Sequence, residues 1–119
     1  LRRWEAWTGG LSWAVLLSVA VSIEPVAADP SAVPVWWEEL WSLAFVAALV
    51  TALVGFARLA GWAFRASLVA AGLLTAAVTI CPVSGHHVWG WWWAGQIACC
   101  AGLLTVGLWG SLTRRAPSG

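Results

Sequence analysis

Apolar residues in this chain do not alternate with polar ones; they run together in long blocks. Four uncharged stretches dominate, and a bilayer-spanning helix needs about 20 such residues. They predict spans at about 6–23, 38–58, 65–82 and 89–112. Glu24-Pro25 closes the first, Arg58 the second, Pro82 the third and Arg114-Arg115 the fourth. The connections are short. Residues 24–36 hold three prolines and two acids and read as an ordered loop. Residues 58–65 read as a tight turn around Gly61, and residues 82–90 form the third loop. The predicted fold is all-α: an integral membrane antiparallel four-helix bundle, one transmembrane domain over residues 1–119, with both termini cytoplasmic.

The placement of charge selects that layout. With four spans, Arg2, Arg3, Arg58, Arg65, Arg114 and Arg115 all fall on one side, and Glu24, Asp29, Glu38 and Glu39 on the other. Arginine accumulates on the cytoplasmic side of membrane proteins. An odd number of spans would separate the two terminal Arg pairs. Tryptophan follows the same division. Trp4, Trp7, Trp62 and Trp109 mark the inner boundary. Trp36, Trp37, Trp41, Trp89, Trp91, Trp92 and Trp93 mark the outer one, where an indole keeps its ring apolar and its N–H wet. Only Trp13 lies well inside a span. A rival reading of the N-terminus exists. Arg2-Arg3, the apolar Leu11–Ile23 and the small residues Val26-Ala27-Ala28 resemble a secretory signal with a cleavage site. Cleavage would leave three spans in the same orientation.

Composition agrees with a membrane class. The 119 residues are 61% hydrophobic and 9% charged, against roughly 25% charged in soluble domains. That balance argues against a free soluble monomer and a disordered chain. The net charge of +1 gives no footing for nucleic acid. Lys, Met, Asn and Tyr are missing, a bias expected of a GC-rich, bacterial gene, and hence of a multi-pass protein of the bacterial inner membrane.

Helices in lipid associate through close packing of small residues. Each span carries them at four-residue spacing: Ala14, Ser18 and Ser22 in the first; Ala44, Ala48 and Ala52, with Thr51 and Gly55 alongside, in the second; Ala66 and Ala70, Gly72 and Ala76, Thr75 and Thr79 in the third; Ala94, Ala98 and Gly102 in the fourth. These predict the packing faces.

Candidate chemistry is sparse. No Asp, Glu, Lys, Arg or His sits mid-span, which argues against proton pumping and transmembrane haem ligation. Gln96, in the fourth span, is expected to form an interhelical hydrogen bond or to contact a substrate. Cys99 and Cys100 lie too deep to reach Cys81 and read as inert packing residues. The chain also lacks the CxxC motif of four-helix thiol oxidoreductases of the vitamin K epoxide reductase type. The segment Cys81-Pro82-Val83-Ser84-Gly85-His86-His87 is the densest in donors. Cys81, His86 and His87 are candidate metal ligands for copper or zinc, with Glu38 or Glu39 as helpers from the same side; the alternatives are a polar turn in the headgroup layer, and a partner contact or a response of the imidazoles to external pH. Trp36, Trp37, Trp89, Trp91, Trp92 and Trp93 are expected at the membrane interface; the lesser alternative for the last four is a groove for a lipid, a quinone-like ring or a partner helix. In architecture alone the layout resembles small four-span proteins of the DoxX type, and no residue carries over.

Three functions follow as expectations. The first is a non-enzymatic accessory or interaction subunit in the lipid bilayer, packed against a larger membrane protein or a second copy of itself. The second is an extracytoplasmic metal- or redox-linked protein using Cys81, His86 and His87. The third is a small carrier or immunity-type protein handling an apolar molecule, whose mark would be a continuous cleft between spans reaching Gln96.

Overall fold

The computed structural model describes residues 1–25, 36–83 and 89–115, with backbone only for residues 81–83. Four α-helices account for most of them: α1 (Arg3–Ser22), α2 (Trp36–Ala57), α3 (Ala63–Val83) and α4 (Trp91–Leu112). Among the described residues there is no strand. Helices α2, α3 and α4 are long and apolar enough to cross a membrane. Helix α1 is of similar length, 20 residues, but its first turns hold Arg3, Glu5, Thr8, Gly9 and Gly10 and lower its mean apolarity.

The helices pack as an antiparallel bundle. Helix α2 lies on α3, α3 on α4, and α4 on α1, while α1 and α2 meet only lightly. The ends pair accordingly. Ala20 near the end of α1 meets Gln96 near the start of α4, and Glu5 at the start of α1 meets Arg114 just past the end of α4. All six Arg therefore gather at one end, together with the N-terminus and the chain after α4. Glu24, Glu38 and Glu39 gather at the other. Below, these are called the arginine end and the glutamate end.

Aromatic rings seated on glycines close the arginine end. Phe56 of α2 covers Gly9 of α1, and Phe64 of α3 covers Gly110 of α4. A Cβ at either glycine would overlap the ring above it. Phe56 and Phe64 meet edge to face at 5.0 Å, Phe64 meets Trp109 at 6.0 Å, and Trp109 meets Trp4 at 5.7 Å. This chain of rings joins all four helices. The Arg114 guanidinium lies 5.7 Å from the Phe64 centroid, a cation–π distance. Glu5 completes this end. Its Oε2 accepts from the Arg2 backbone N–H and from Arg114 Nη2, both at 2.8 Å. One carboxylate thus caps the first turn of α1, where the helix dipole favours an anion, and ties it to the end of α4.

The middle of the bundle is pinned by Trp13. It is 2% exposed, and its Nε1–H donates to Ser67 Oγ of α3 at 2.8 Å. An indole in a core needs such a partner, and Ser67 is itself buried. Helix α1 is thereby built into the bundle rather than laid against it.

The structure corrects one detail of the pattern reading. The predicted small-residue faces hold in α2, through Ala48, Ala52 and Gly55, and in α3, through Ala66 and Ala70. In α1 they do not, since Ala14, Ser18 and Ser22 face outward; in α4 Ala94 and Ala98 face outward too, and only Gly102 of the predicted stripe packs, against Leu16 of α1. The packed faces there are Ala6, Gly9, Trp13 and Ala20, and Gln96, Cys99, Cys100, Leu103, Gly107 and Gly110. The reason is local. Ser18 and Ser22 donate to the carbonyls of Ala14 and Ser18 on their own helix, so their hydroxyls face outward without an unmet donor. In the predicted α2–α3 turn the left-handed residue is Leu59, at φ 56°. Ala60 N–H bonds Gly55 O and Leu59 N–H bonds Phe56 O, the hydrogen-bond pattern of a Schellman cap.

Helix α3 also runs one residue past Pro82. A proline lacks the N–H that would serve the carbonyl four residues earlier, here Val78. That carbonyl accepts instead from Trp93 Nε1 of α4 at 3.1 Å. The missing backbone donor is supplied by the neighbouring helix, so the last turn survives.

Candidate functional site: a cleft at the glutamate end

Because α1 and α2 touch mainly near the arginine end, they leave a gap toward the other. A cleft of about 720 Å3 opens there, within the range of small-molecule sites. Leu17, Ala20, Val21 and Glu24 form the α1 wall; Trp37, Glu38, Glu39, Trp41, Ser42 and Leu43 form the α2 wall. Leu74, Ala77, Val78 and Ile80 of α3 make the back, which reaches Gln96 of α4. Trp13 and Phe45, 6.2 Å apart, lie one turn from Leu17 and Trp41 toward the arginine end.

Small and large residues together make the space. Ala20 and Ala77 leave room on α1 and α3, while Trp41 is held back against α3 by its Nε1–H, which donates to Leu73 O at 2.9 Å. Gln96 is 5% exposed. Its Nε2 donates to Ala20 O at 3.0 Å. That carbonyl lacks its usual helical donor, because Glu24 N–H bonds Val21 O instead. Gln96 therefore caps the end of α1 from the neighbouring helix, as Trp93 caps Val78. The two α4 residues, one turn apart, serve the helices on either side.

The lining is mainly hydrocarbon and indole, with carboxylates at the mouth. Glu24 comes from the end of α1, and Glu38 and Glu39 from the first turn of α2. Among the described residues no cation lies at this end, since every Arg is at the other. The carboxylates are spread around the rim; no group of three His, Cys, Asp or Glu among the described residues is gathered as a metal would require.

The sequence-predicted site residues divide in three. Gln96 lies at the back of the cleft, and Trp37 on its rim. Trp36, Trp89 and Trp91 are exposed at the glutamate end; Trp93 is partly covered and Trp92 turns inward at 6% exposure. Trp89 and Trp93 stack edge to face at 4.9 Å. His86 and His87 and the side chain of Cys81 lie outside the described residues. Cys99 and Cys100 are buried, free thiols on the packed face of α4. Pattern reasoning passed over Glu24, Trp41 and Ala77 as members of a site. No local signal marks them, because the cleft arises from how far α1 and α2 diverge.

No protein-family model, curated protein or solved structure matches the chain.

Proposed function

We propose that this membrane protein acts without catalysis, accommodating the apolar part of a second molecule in the cleft at its glutamate end. The observation that supports this reading is the continuity of that cleft from the rim to Gln96, the feature expected of a protein that handles an apolar molecule. With the arginine end in the cytoplasm, the cleft opens toward the outer half of the bilayer and the space beyond.

Equilibrium dialysis of the purified protein in neutral maltoside detergent tests it, with triphenylmethanol as a neutral apolar probe. Wild type should bind about one equivalent saturably. Ala77→Trp, which fills the back of the cleft, and Ser42→Trp, which fills it from α2, should lose that component while melting like wild type. Equal uptake by all three would defeat the reading.

An accessory-subunit role is the second reading, and one observation favours it: α2 is the least covered of the apolar helices. A photocrosslinker at Val50, exposed on α2, should then capture one defined partner in intact membranes, and a lipid-only product would speak against it.

A further inference from the structure

We infer that the occupant of the cleft is a neutral apolar molecule carrying one hydroxyl, an alcohol or a phenol, whose O–H donates to Gln96 Oε1 while its apolar body fills the space in front. This rests on the cleft reading above and adds the class of ligand.

The free half of the Gln96 amide carries the argument. Gln96 is 5% exposed and lines the cleft. Its Nε2–H donates to Ala20 O at 3.0 Å. Only the nitrogen of an amide can meet a carbonyl, so this contact fixes how the amide is turned and sends Oε1 in another direction. Among the described residues no group donates to Oε1. Nor is Oε1 sealed in. The buried side-chain polar atoms left without a partner among the described residues are Ser111 Oγ and Arg114 Nε, both at the arginine end. Oε1 is therefore an acceptor open to the cleft on an otherwise enclosed side chain. The rest of the back wall, Leu74, Ala77, Val78 and Ile80, brings no side-chain donor, and the Trp41 N–H is already engaged by Leu73 O.

The missing partner defines the ligand. An enclosed acceptor without a donor is costly. Where water enters from the rim and serves Oε1, a ligand that displaces it without reproducing its hydrogen bond loses affinity. Either way the occupant gains by bringing a donor to the back of the cleft. A hydroxyl supplies one and can also accept from the second Nε2–H. An ether, ester or ketone only accepts, and leaves Oε1 unmet. A carboxamide brings a donor, but adds a further N–H and a carbonyl to be desolvated against hydrocarbon. A charged head placed there would lose its water with no opposite charge on the back wall to replace it. A single neutral hydroxyl on an apolar body meets these conditions, and the cleft volume of about 720 Å3 takes a molecule of drug-like size.

Four rod-shaped probes of similar size test the assignment in maltoside micelles: para-phenylphenol, para-phenylanisole, para-phenyltoluene and para-phenylbenzamide. Binding to the cleft is the component removed by Ala77→Trp or Ser42→Trp, with each probe referred to its own partition into empty micelles. Wild type should prefer the phenol to the ether and the hydrocarbon by roughly fivefold, the scale of one net hydrogen bond, and should bind the carboxamide less tightly than the phenol. Gln96→Leu removes the acceptor, so it should bring phenol, ether and hydrocarbon to parity while the hydrocarbon still binds. That variant also uncaps Ala20 and should melt below wild type; if it does not fold, the probe series in wild type decides alone. Equal binding of phenol, ether and hydrocarbon by wild type, tighter binding of the carboxamide, or a phenol preference that survives Gln96→Leu would overturn the hydroxyl assignment and leave the cleft reading standing. Displacement of the phenol by phosphatidylcholine, which has no hydrogen-bond donor, would also overturn it, in favour of a bilayer lipid. Absence of any cleft-dependent binding, triphenylmethanol included, would bring down the cleft reading itself.

Discussion

The indole N–H of Trp93 in α4 donates to the carbonyl of Val78 in α3, at 3.1 Å, and Val78 is the residue whose helical donor Pro82 removes. A carbonyl left unpaired inside a membrane bundle has no water to turn to. The contact therefore does two things at once: it joins α3 to α4, and it lets α3 keep its final turn. Trp93→Phe keeps most of the ring and loses the donor. It should cost about 1 kcal/mol, read from unfolding in mixed micelles. Pro82→Ala restores the backbone N–H, so it should rescue Trp93→Phe by most of that amount and gain little in wild type. Additive effects of the two substitutions would mean that the Val78 carbonyl is not what couples them.

Trp13 makes α1 part of the core, and its loss should show it. Trp13→Ala removes a buried ring and its bond to Ser67, for about 3–5 kcal/mol. Ser67→Ala leaves the indole N–H unmet and should cost about 1–2 kcal/mol. Trp13→Phe should fall between the two. If α1 were a transient leader, neither Trp13 substitution would alter unfolding of the mature protein.

The four helices were legible because charge and turn residues fall only between the apolar blocks, and because every Arg obeys one topology. Trp13 stood out for the same reason: an indole in mid-span is away from the headgroup layer that indoles favour. The packing faces of α1 and α4 were not legible. Small residues in an Ala- and Gly-rich chain recur at four-residue spacing on several faces, and Ser18 and Ser22 satisfy themselves on their own helix. What selects the true face is which glycine lies beneath a ring from another helix, as Gly9 lies beneath Phe56. That is a long-range fact. The cleft is another: it depends on α1 and α2 meeting only lightly and diverging toward the glutamate end, which no local pattern encodes. Gln96 was recognised as the polar group most suited to bridge helices, but its acceptor, the bare Ala20 carbonyl, follows from how α1 ends.

Glycines beneath rings should respond differently from glycines in open space. Gly110→Ala places a Cβ against the Phe64 ring and Gly9→Ala one against Phe56. Each should destabilise by about 1–3 kcal/mol. Phe64→Leu should recover part of the loss in Gly110→Ala, because a smaller side chain vacates the overlap. Gly72→Ala in α3 meets nothing within 4 Å, so it should be neutral or stabilising by up to about 1 kcal/mol. Thermal unfolding of the four variants in one detergent would separate packing from helix propensity. A uniform response would refute the ring-on-glycine account.

Glu5 makes stability depend on acid. The Arg2 backbone N–H, and then the nearby Arg114 guanidinium, hold its carboxyl below the ordinary range, against an opposing effect of burial. A carboxyl lowered on folding adds stability that is fully present above its unfolded value, near 4.3, and is lost as pH falls through the folded value. With Glu5 side-chain exposure at 17% and Arg114 at 25%, the effect should be about 1 kcal/mol or less. Wild type should therefore exceed Glu5→Gln in stability at pH 7. The two should converge below about pH 4. A gap that stays constant down to pH 3 would assign the effect to shape rather than charge.

Orientation is the remaining prediction, and it decides which side the cleft serves. The arginine end holds both the start of α1 and the chain after α4, so a reporter fused after Gly119 should read as cytoplasmic. One inserted within residues 29–34 should read as external. Thiol labelling gives an independent measure of depth. Cys99 and Cys100 are covered on the packed face of α4, several turns from either helix end. In intact cells a membrane-impermeant maleimide added from outside should leave both unmodified and react at Cys81. Detergent alone should not expose them, because the covering is protein rather than lipid. Only unfolding should. An external C-terminal reporter would invert the molecule, place Glu24, Glu38 and Glu39 on the cytoplasmic side, and open the cleft toward the cell interior.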